Sequence, residues 1–323
     1  MTQRKPRRYY DLNTYFRQRF GERVHKLSVD AGLTCPNRDG SKGTGGCIYC
    51  NPRGSGTGAH ARGISVGAQL EASKAAVARR FKAHRFVAYF QSFSNTYAPL
   101  AQLKAMYDEA LAVPDVVGLA VGTRPDCVDE AVLALLADYA RHHLVWIEYG
   151  LQSAHDATLA RIHRGHTVAD FEKAVRATAA AGIPICTHII LGLPGESRAQ
   201  MLATADFVAR LPIDGIKLHL LYVIAGTPLA DQYQAGLYPC LAQSDYVDLV
   251  CDVLERLPAS MVIQRLTGDP RPIELLAPRW AMDKNGTRQM IEQRLEHRNT
   301  WQGKRLGTPA THWGIQRRPE GGT

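Results

Sequence analysis

Three cysteines crowd one glycine-rich stretch, LTCPNRDGSKGTGGCIYC, in which they are Cys35, Cys47 and Cys50. Thiolates bind zinc and iron–sulfur clusters, and the Cys-x-x-Cys spacing of the last two is a common half of a zinc site. A closed zinc site or a four-cysteine cluster needs a fourth ligand, and the nearby histidines, His25 and His60, are not paired in spacing. On the residues alone, the stretch indicates a metal centre with one open coordination position, which is typical of a working site rather than a structural one.

The other four cysteines have more ordinary settings. Cys186 lies within a predicted strand and Cys251 within a predicted helix, where free cysteine usually behaves as a small buried hydrophobe. A packing role is also expected for Cys240. Cys127, in the sequence TRPDC, follows the carboxyl end of a predicted strand. It is therefore a candidate catalytic residue, as a thiol that faces the substrate or transfers a proton.

The composition is that of a large globular chain. Its 323 residues, 45% of them hydrophobic, can bury a core of one α/β unit with appendages or of two ordinary domains. No apolar run approaches the roughly 20 residues that span a membrane, and no apolar segment of a signal peptide follows the basic N-terminus. Seven cysteines, three of them in one loop, do not fit the disulfide framework of a secreted protein. We therefore predict a cytoplasmic protein with no membrane partner.

The formal charge of +9 is concentrated at the two ends. Residues 1–26 carry eight lysines and arginines against two acids, and residues 279–323 carry nine against four. Such flanks can bind a phosphate backbone through counterion release, and residues 288–305 have the pattern of a basic amphipathic helix. A solubilising surface explains the charge equally well, because no base-reading motif accompanies it. RNA is a candidate partner through the basic termini.

Strand-like apolar runs alternate with segments of helical period along most of the chain. Two runs, LVWIEYGL and ICTHIILGL, are apolar nearly throughout, which is typical of strands buried on both faces of a parallel sheet. Repeated βα units with such strands form either an open doubly wound sheet or a partial barrel. The predicted strands are 26–32, 86–92, 116–123, 144–152, 184–192, 215–223 and, less clearly, 261–268, and the predicted helices are 68–83, 99–112, 129–142, 168–182, 198–211 and 244–257.

Polar or glycine-rich segments follow the carboxyl ends of six predicted strands. They are the cysteine stretch, SFSNTY, TRPDC, QSAHD, LPGES and AGTP. Six such loops meet on one face of a (β/α) barrel, whereas in an open sheet only the loops at a topological switch point meet. We expect the chemistry, with the cysteine loop, on this face.

The cysteine loop and several sequence words resemble those of radical S-adenosylmethionine (SAM) enzymes. The usual family spacing has three residues between the first two cysteines, whereas eleven separate Cys35 from Cys47. The longer gap is similar to that of the branch containing the elongator catalytic subunit. Within that branch the chain most resembles YhcC-type radical SAM proteins over about residues 25–310, through the words TCPNRDG, GGCIYC, GTRPDC, EYGLQS, RGHT, ILGLPGE and RLTGDPRP.

The resemblance implies an α/β fold, a partial (β/α)6-type radical SAM barrel of parallel strands. The barrel would occupy residues 26–275, between a basic N-terminal extension (1–25) and a basic C-terminal extension (276–323).

The resemblance also implies the cofactors. Cys35, Cys47 and Cys50 would bind three irons of a [4Fe–4S] cluster, and the amino and carboxylate groups of SAM would bind the fourth. An electron from a donor such as flavodoxin or ferredoxin would then cleave SAM to a 5′-deoxyadenosyl radical, which abstracts hydrogen from a substrate.

Other positions match SAM contacts of the family. Arginine suits a carboxylate and glutamine suits a diol, which fits the carboxylate and ribose of SAM. Glu148 is flanked by apolar residues and needs a partner, whose identity the sequence leaves open. The residues that the resemblance assigns to SAM are Gln152 for the ribose, Arg164 for the carboxylate, Ser94, Asn95 and Thr96 near the amino group, and His188 near the adenosine.

Three functions follow as hypotheses. The first is a radical SAM enzyme acting on an unknown substrate, with RNA as the leading candidate because of the basic ends and the tRNA-acting relatives. The second is a non-catalytic RNA-binding protein whose cysteine loop holds structural zinc or an iron–sulfur site. The third is a tetrapyrrole-type radical SAM oxidase.

Overall fold

The computed structural model describes residues 7–313 except 53, 55 and 57, so the outermost parts of both predicted extensions, 1–6 and 314–323, lie outside the described residues. Within this range the strands are β1 (Val24–Val29), β2 (Arg85–Phe90), β3 (Val116–Thr123), β4 (Leu144–Gln152), β5 (Ile185–Leu191), β6 (Gly215–Leu220), β7 (Val223–Ile224), β8 (Val262–Arg265) and β9 (Leu275–Ala277). The α-helices are α1 (Leu12–Phe20), α2 (Val66–Phe81), α3 (Leu100–Leu111), α4 (Glu130–Ala140), α5 (Asp156–Arg161), α6 (Val168–Ala180), α7 (Arg198–Ala209), α8 (Pro228–Gln234), α9 (Gln243–Arg256) and α10 (Lys284–His297).

Seven strands form one parallel sheet in the order β1-β2-β3-β4-β5-β6-β8, and β7 pairs with β9 in a separate antiparallel ribbon. The predicted partial barrel of parallel strands is confirmed, with β8 added as a seventh strand. The sheet curls far enough for Lys26 on the first strand to hydrogen-bond to Gln264 on the last, with 2.6 Å between Nζ and Oε1. No helix in the described part of the chain is long and apolar enough to cross a membrane.

Local sequence signals start the helices that cover the outside of the sheet. Ser65, Asp129, Thr167 and Ser197 are the N-caps of α2, α4, α6 and α7, and each side chain accepts a hydrogen bond from a backbone N–H of the first turn. These bonds satisfy donors that a helix start otherwise leaves unpaired. The main apolar core lies between these helices and the sheet, and most of its residues are fully buried.

A second apolar cluster fills one end of the barrel interior, and α1 seals it. Phe16 of α1 is buried there, and the ring of Tyr15 meets Trp146 of β4 edge to face at 5.5 Å between centroids. Helix α1 contacts both edge strands, β1 and β8, and Asp11 forms a parallel bridge to Ile263. The predicted N-terminal extension thus contributes a helix that packs on the barrel, while the division of the chain at residues 25 and 275 stays a prediction.

The basic segment near the C-terminus is largely paired with acids. Helix α10 ends at His297, earlier than the predicted helix over 288–305, and it packs on α9. Arg298 Nη2 lies 2.5 Å from Asp252 Oδ1 and 3.1 Å from Glu255 Oε1. Arg294 pairs with Asp248. These positive charges therefore stabilise the contact between helices.

Candidate functional site

A cavity of about 450 Å³ opens at the carboxyl ends of the strands, where the loops after the strands meet. It brings together most of the residues predicted to bind the cofactors. The predicted residues that line it are Cys35, Cys47, Cys50, Ser94, Gln152, Arg164 and His188.

Asn37 anchors the cysteine loop to the loop between α5 and α6, which carries Arg164. Its Nδ2 donates to the carbonyls of His163 and Arg164 at 2.7 and 2.8 Å and lies 3.8 Å from Cys47 Sγ. Its own carbonyl accepts from Gly46 N at 2.8 Å. One side chain therefore links the first part of the loop, the predicted cluster cysteine Cys47 and the segment that carries Arg164.

Two cations complete the loop. Arg38 Nη2 donates to the carbonyls of Cys50 and Asn51 at 3.0 and 2.8 Å. Lys42 Nζ lies 2.5 Å from Asp126 Oδ2 on the loop after β3. The long gap between the first two cysteines thus supplies the groups that hold the loop in place.

Arg164 lies directly beside a predicted cluster cysteine. Its Nη1 is 3.7 Å from Cys47 Sγ, and its Nη2 donates to the carbonyl of Gly150 at 2.8 Å. Its Nε donates to His166 Nε2 at 3.0 Å, and burial together with the Arg164 charge lowers the pKa of His166 to about 3. The neutral imidazole can therefore accept from the guanidinium and hold it beside the sulfur.

Gln152 ends β4 in an unusual backbone conformation. Its φ is +75°, in the left-handed region that glycine prefers, and the pairing of β4 with β5 shifts register between Gly150 and Gln152. Such strain is rare for a side-chain-bearing residue and is found at functional sites. Gly150 makes room for the ends of two predicted site residues, because a Cβ there would lie 2.6 Å from Gln152 Nε2 and 2.5 Å from Arg164 Nη2.

The polar residues of the loop after β2 are of two kinds: one lines the cavity, and two hydrogen-bond to backbone carbonyls of the protein. Ser94 lines the cavity. Asn95 Nδ2 donates to the carbonyl of Gly122 at 2.8 Å, and Thr96 Oγ1 donates to that of Cys127 at 2.6 Å. The side chains of Asn95 and Thr96 therefore join the loop after β2 to the end of β3 and the turn that follows it, and neither residue lines the cavity, so their contact with SAM stays a prediction.

Cys127 does not line the cavity that contains the other three site cysteines. It ends the short 3-10 turn Pro125–Cys127, which directs it to a separate cleft beside Thr96 and Pro99. Burial raises the pKa of its thiol to about 12, so the thiol stays protonated. The geometry gives no support to the catalytic role predicted for Cys127.

A buried ionic group lies below the cavity, inside the barrel. Glu148 is fully buried and is hydrogen-bonded to Lys26 Nζ at 2.5 Å, to Lys217, and to His188 Nε2 at 2.8 Å. Burial alone would raise the pKa of Glu148, but the charges of Lys217 and Lys26 hold it well below its usual value. The partner that the sequence left open is therefore a pair of lysines on β1 and β6.

The ligand atoms of Glu148, Cys186 and His188 lie within 4.8 Å of one another, a spacing that a metal ion could bridge. The two lysine ammonium groups already neutralise the carboxylate, so we assign no cation to this place. His188 donates to the carboxylate through Nε2, and burial with the Lys217 charge lowers its pKa to about 4. It is a neutral imidazole at the cavity wall.

The sequence reasoning missed the role of Arg124. Its Nη1 donates to the carbonyl of Arg164 at 2.6 Å, and its Nη2 lies 2.8 Å from Asp126 Oδ2. The pair therefore holds the backbone that positions Arg164. The word TRPD was noted in the sequence, but its tertiary partner lies forty residues further along the chain.

The donor set of this cavity fits a [4Fe–4S] cluster with SAM. Three thiols come from one loop, a guanidinium and a carboxamide line the same cavity, and the missing Cβ of Gly150 lets these two groups come close together. Soft sulfur ligands suit iron, and the planar guanidinium suits a carboxylate.

Comparison with known proteins supports this assignment. Residues 39–208 match the family model described as Radical SAM superfamily, and residues 213–297 match the Radical_SAM C-terminal domain. The chain is 42% identical over 299 residues to the uncharacterized protein YtqA of Bacillus subtilis, covering 92% of each. It is 39% identical over 294 residues to protein YhcC of Escherichia coli K12, covering 90% of this chain and 93% of that protein.

A more distant relative is the tRNA uridine(34) acetyltransferase of Dehalococcoides mccartyi, 29% identical over 181 residues, which cover 55% of this chain and 39% of that protein. Among solved structures, the archaeal Elp3 of Methanocaldococcus infernus has the same fold, with a TM-score of 0.66 at 15% identity over 86% of this chain and 64% of that one.

The superfamily model matches more than half of the chain, and YtqA and YhcC match nearly all of it well above 30% identity. Enzymes of this superfamily use a [4Fe–4S] cluster and SAM, which confirms the cofactors predicted from the resemblance. The chain belongs to the radical SAM superfamily, and it is a radical SAM enzyme.

Proposed function

We propose that this enzyme cleaves SAM reductively at a cluster held by Cys35, Cys47 and Cys50 and uses the product to abstract hydrogen from a substrate inside the barrel. When bound, the cluster with SAM supplies the electron transfer and the 5′-deoxyadenosyl radical. The protein has to hold the cofactors, direct the radical at one place and exclude water from it.

The observation that carries the proposal is the position of Arg164. Its guanidinium lies 3.7 Å from a cysteine sulfur, where a carboxylate bound next to the cluster would meet it. Two parallel N–H donors of arginine suit a carboxylate. Gln152 lines the same cavity in a strained conformation and can both donate to and accept from ribose hydroxyls.

The neutral histidine at the wall fits the same scheme. Because His188 donates Nε2–H to Glu148, its Nδ1 is an acceptor that can receive a hydrogen bond from a nucleoside or a substrate. The ion pairs of Glu148 with Lys26 and Lys217 fix this tautomer. We therefore assign His188 to hydrogen bonding and not to proton transfer.

Anaerobic reconstitution with iron and sulfide tests the proposal. The protein should become brown, hold about four irons per chain and, with dithionite and SAM, release 5′-deoxyadenosine. Cys50→Ala should abolish both the full cluster and the product. The matched control is Cys240→Ala, a half-buried cysteine outside the loop, which should behave as wild type.

A colourless protein that retains one zinc and no iron would contradict the proposal and favour a structural zinc site. A fully loaded cluster that forms no 5′-deoxyadenosine in the presence of SAM would also contradict it.

We also propose RNA as the class of substrate. A relative whose name includes tRNA supports it. The charges of Arg294 and Arg298 support it less than the sequence suggested, because acids of α9 pair with both. We also propose a small electron donor such as flavodoxin or ferredoxin, and a cytoplasmic location consistent with the free cysteines.

A further inference from the structure

A second cleft enters the barrel from its side, between the edge strands β1 and β8. Its volume is about 580 Å³, and residues of α1 and of both edge strands line it. Five residues line both this side cleft and the site cavity: Ser28, Tyr89, Gln91, Arg265 and Asp269. The side cleft and the site cavity therefore adjoin at these residues, on the side of the cavity away from the cysteine loop, with the Lys26–Gln264 hydrogen bond beside them.

The side cleft has an excess of positive charge. Seven lysine and arginine side chains line it, against the two carboxylates of Asp11 and Asp269. Both carboxylates are already paired, Asp11 with Arg7 and Asp269 with Lys284. Lys26 and Lys217 share the single carboxylate of Glu148. Among the described residues Arg23, Arg265 and Arg288 have no ion pair, and this excess of positive charge attracts an anion into the cleft.

Arg265 stands at the junction of the side cleft and the site cavity. It is half-buried, and among the described residues its side chain has no hydrogen bond and no acid within ion-pair distance. Its neighbour in the sheet register is Lys217, another cation. A half-buried guanidinium with no protein partner keeps its donors available, and a bidentate oxyanion suits them.

His219 supplies a second unpaired group in the same cavity. It lies on β6 two residues after Lys217, so both side chains point into the barrel. Its Nε2 is buried and has no hydrogen-bond partner among the described residues, and its ring lies 5.3 Å from that of His188. Burial and the Arg265 charge hold the pKa of His219 well below its usual value, so its ring is a neutral hydrogen-bonding group.

We infer that the side cleft admits the substrate and that the substrate carries a phosphate or carboxylate group, which Arg265 pairs with and His219 hydrogen-bonds. This inference rests on the proposed function for the reaction itself and adds the chemical class of the substrate. The oxyanion lies between β6 and β8, and the rest of the molecule extends toward the SAM site, in reach of the radical.

The test measures binding on the reconstituted holoenzyme with saturating SAM, which keeps Arg164 occupied. Inorganic phosphate and malonate are titrated separately by calorimetry into wild type, Arg265→Gln, Arg265→Lys and Arg210→Gln. Arg210 is an exposed arginine at the end of α7 and serves as the matched control.

Wild type should bind at least one anion saturably, and Arg265→Gln should bind it about tenfold to hundredfold more weakly, the loss expected for a charged hydrogen-bond partner. Arg265→Lys should retain part of the affinity, and Arg210→Gln all of it. The anion that binds more tightly identifies the substrate group as phosphate or carboxylate.

Equal affinity in wild type and Arg265→Gln, or no saturable binding of either anion to wild type, would overturn the inference. Formation of 5′-deoxyadenosine without substrate is measured on the same samples. Its absence, with anion binding intact, would defeat the proposed function and leave the anion site standing.

Discussion

Replacing Gly150 by alanine should weaken SAM binding and leave the fold intact. The new Cβ would lie 2.5 Å from Arg164 Nη2 and 2.6 Å from Gln152 Nε2, closer than non-bonded heavy atoms approach. Both atoms are at the ends of flexible side chains, so the side chains move and the strand does not. Arg164 then loses its 2.8 Å hydrogen bond to the Gly150 carbonyl and its position beside Cys47.

The size of the effect follows from the bond that is displaced. A hydrogen bond to a charged group contributes about 1.5–3 kcal/mol. Because about 1.4 kcal/mol is a tenfold change in an equilibrium constant, the Kd for SAM should rise about tenfold to hundredfold. The free energy of unfolding should fall by about 1.5–3 kcal/mol at most, because the buried Arg164 guanidinium loses this bond while neither a cavity nor a backbone shift is created.

Calorimetric titration of SAM into the reconstituted protein, with iron content and a melting curve on the same sample, measures these quantities. Gly45→Ala is the matched control, because a Cβ there meets nothing within 4 Å, and it should bind SAM as wild type does. Gly122→Ala differs, since its Cβ would lie 2.9 Å from the Phe90 carbonyl oxygen and the sheet itself would have to shift. Wild-type affinity in Gly150→Ala with full iron content would refute the assignment of Arg164 and Gln152 to SAM.

Three further substitutions test the site. Asn37→Ala removes hydrogen bonds of 2.7 and 2.8 Å to two carbonyls. The iron retained after chelator treatment should therefore fall, and the free energy of unfolding should drop by about 1–3 kcal/mol. Unchanged values would show that the loop holds its shape without this anchor. Glu148→Gln leaves two buried lysines with no carboxylate. The free energy of unfolding, measured by denaturant titration, should fall by about 3–5 kcal/mol. A loss below about 1 kcal/mol would contradict the conclusion that Glu148 pairs with both lysines. Cys127→Ala should retain cluster content and SAM cleavage, unlike Cys47→Ala, and a loss of cleavage with the cluster intact would restore a catalytic role for Cys127.

The strands could be predicted because strands that are buried on both faces are apolar in consecutive residues. The predicted bounds 116–123 and 144–152 equal those of β3 and β4, whose residues are nearly all buried. Helix α1 was not predicted as part of the barrel, since Arg17 and Arg19 make the segment look like a basic extension. Its role depends on the contact with Trp146, which lies far along the chain.

Site residues could be predicted where a side chain suits one particular group of the cofactor. Arg164 and Gln152 were identified through the resemblance and line the cavity with the cysteines. A buried threonine or asparagine can bind a cofactor or hydrogen-bond to the protein's own backbone, and Thr96 donates to the Cys127 carbonyl. The lysine partners of Glu148 come from other strands, so only the sheet register could reveal them.

The contact of α1 with both edge strands has a consequence for synthesis on the ribosome. Asp11 and Phe16 emerge first, but their docking surface needs Ile263 and Val262, which emerge near the end. Until β8 emerges, the helix has only the part of its docking surface that β1 and Trp146 provide, and its aromatic side chains stay partly exposed to chaperones and to other nascent chains. Chains that stop before β8 lack the second edge strand and leave the helix packed on one side only.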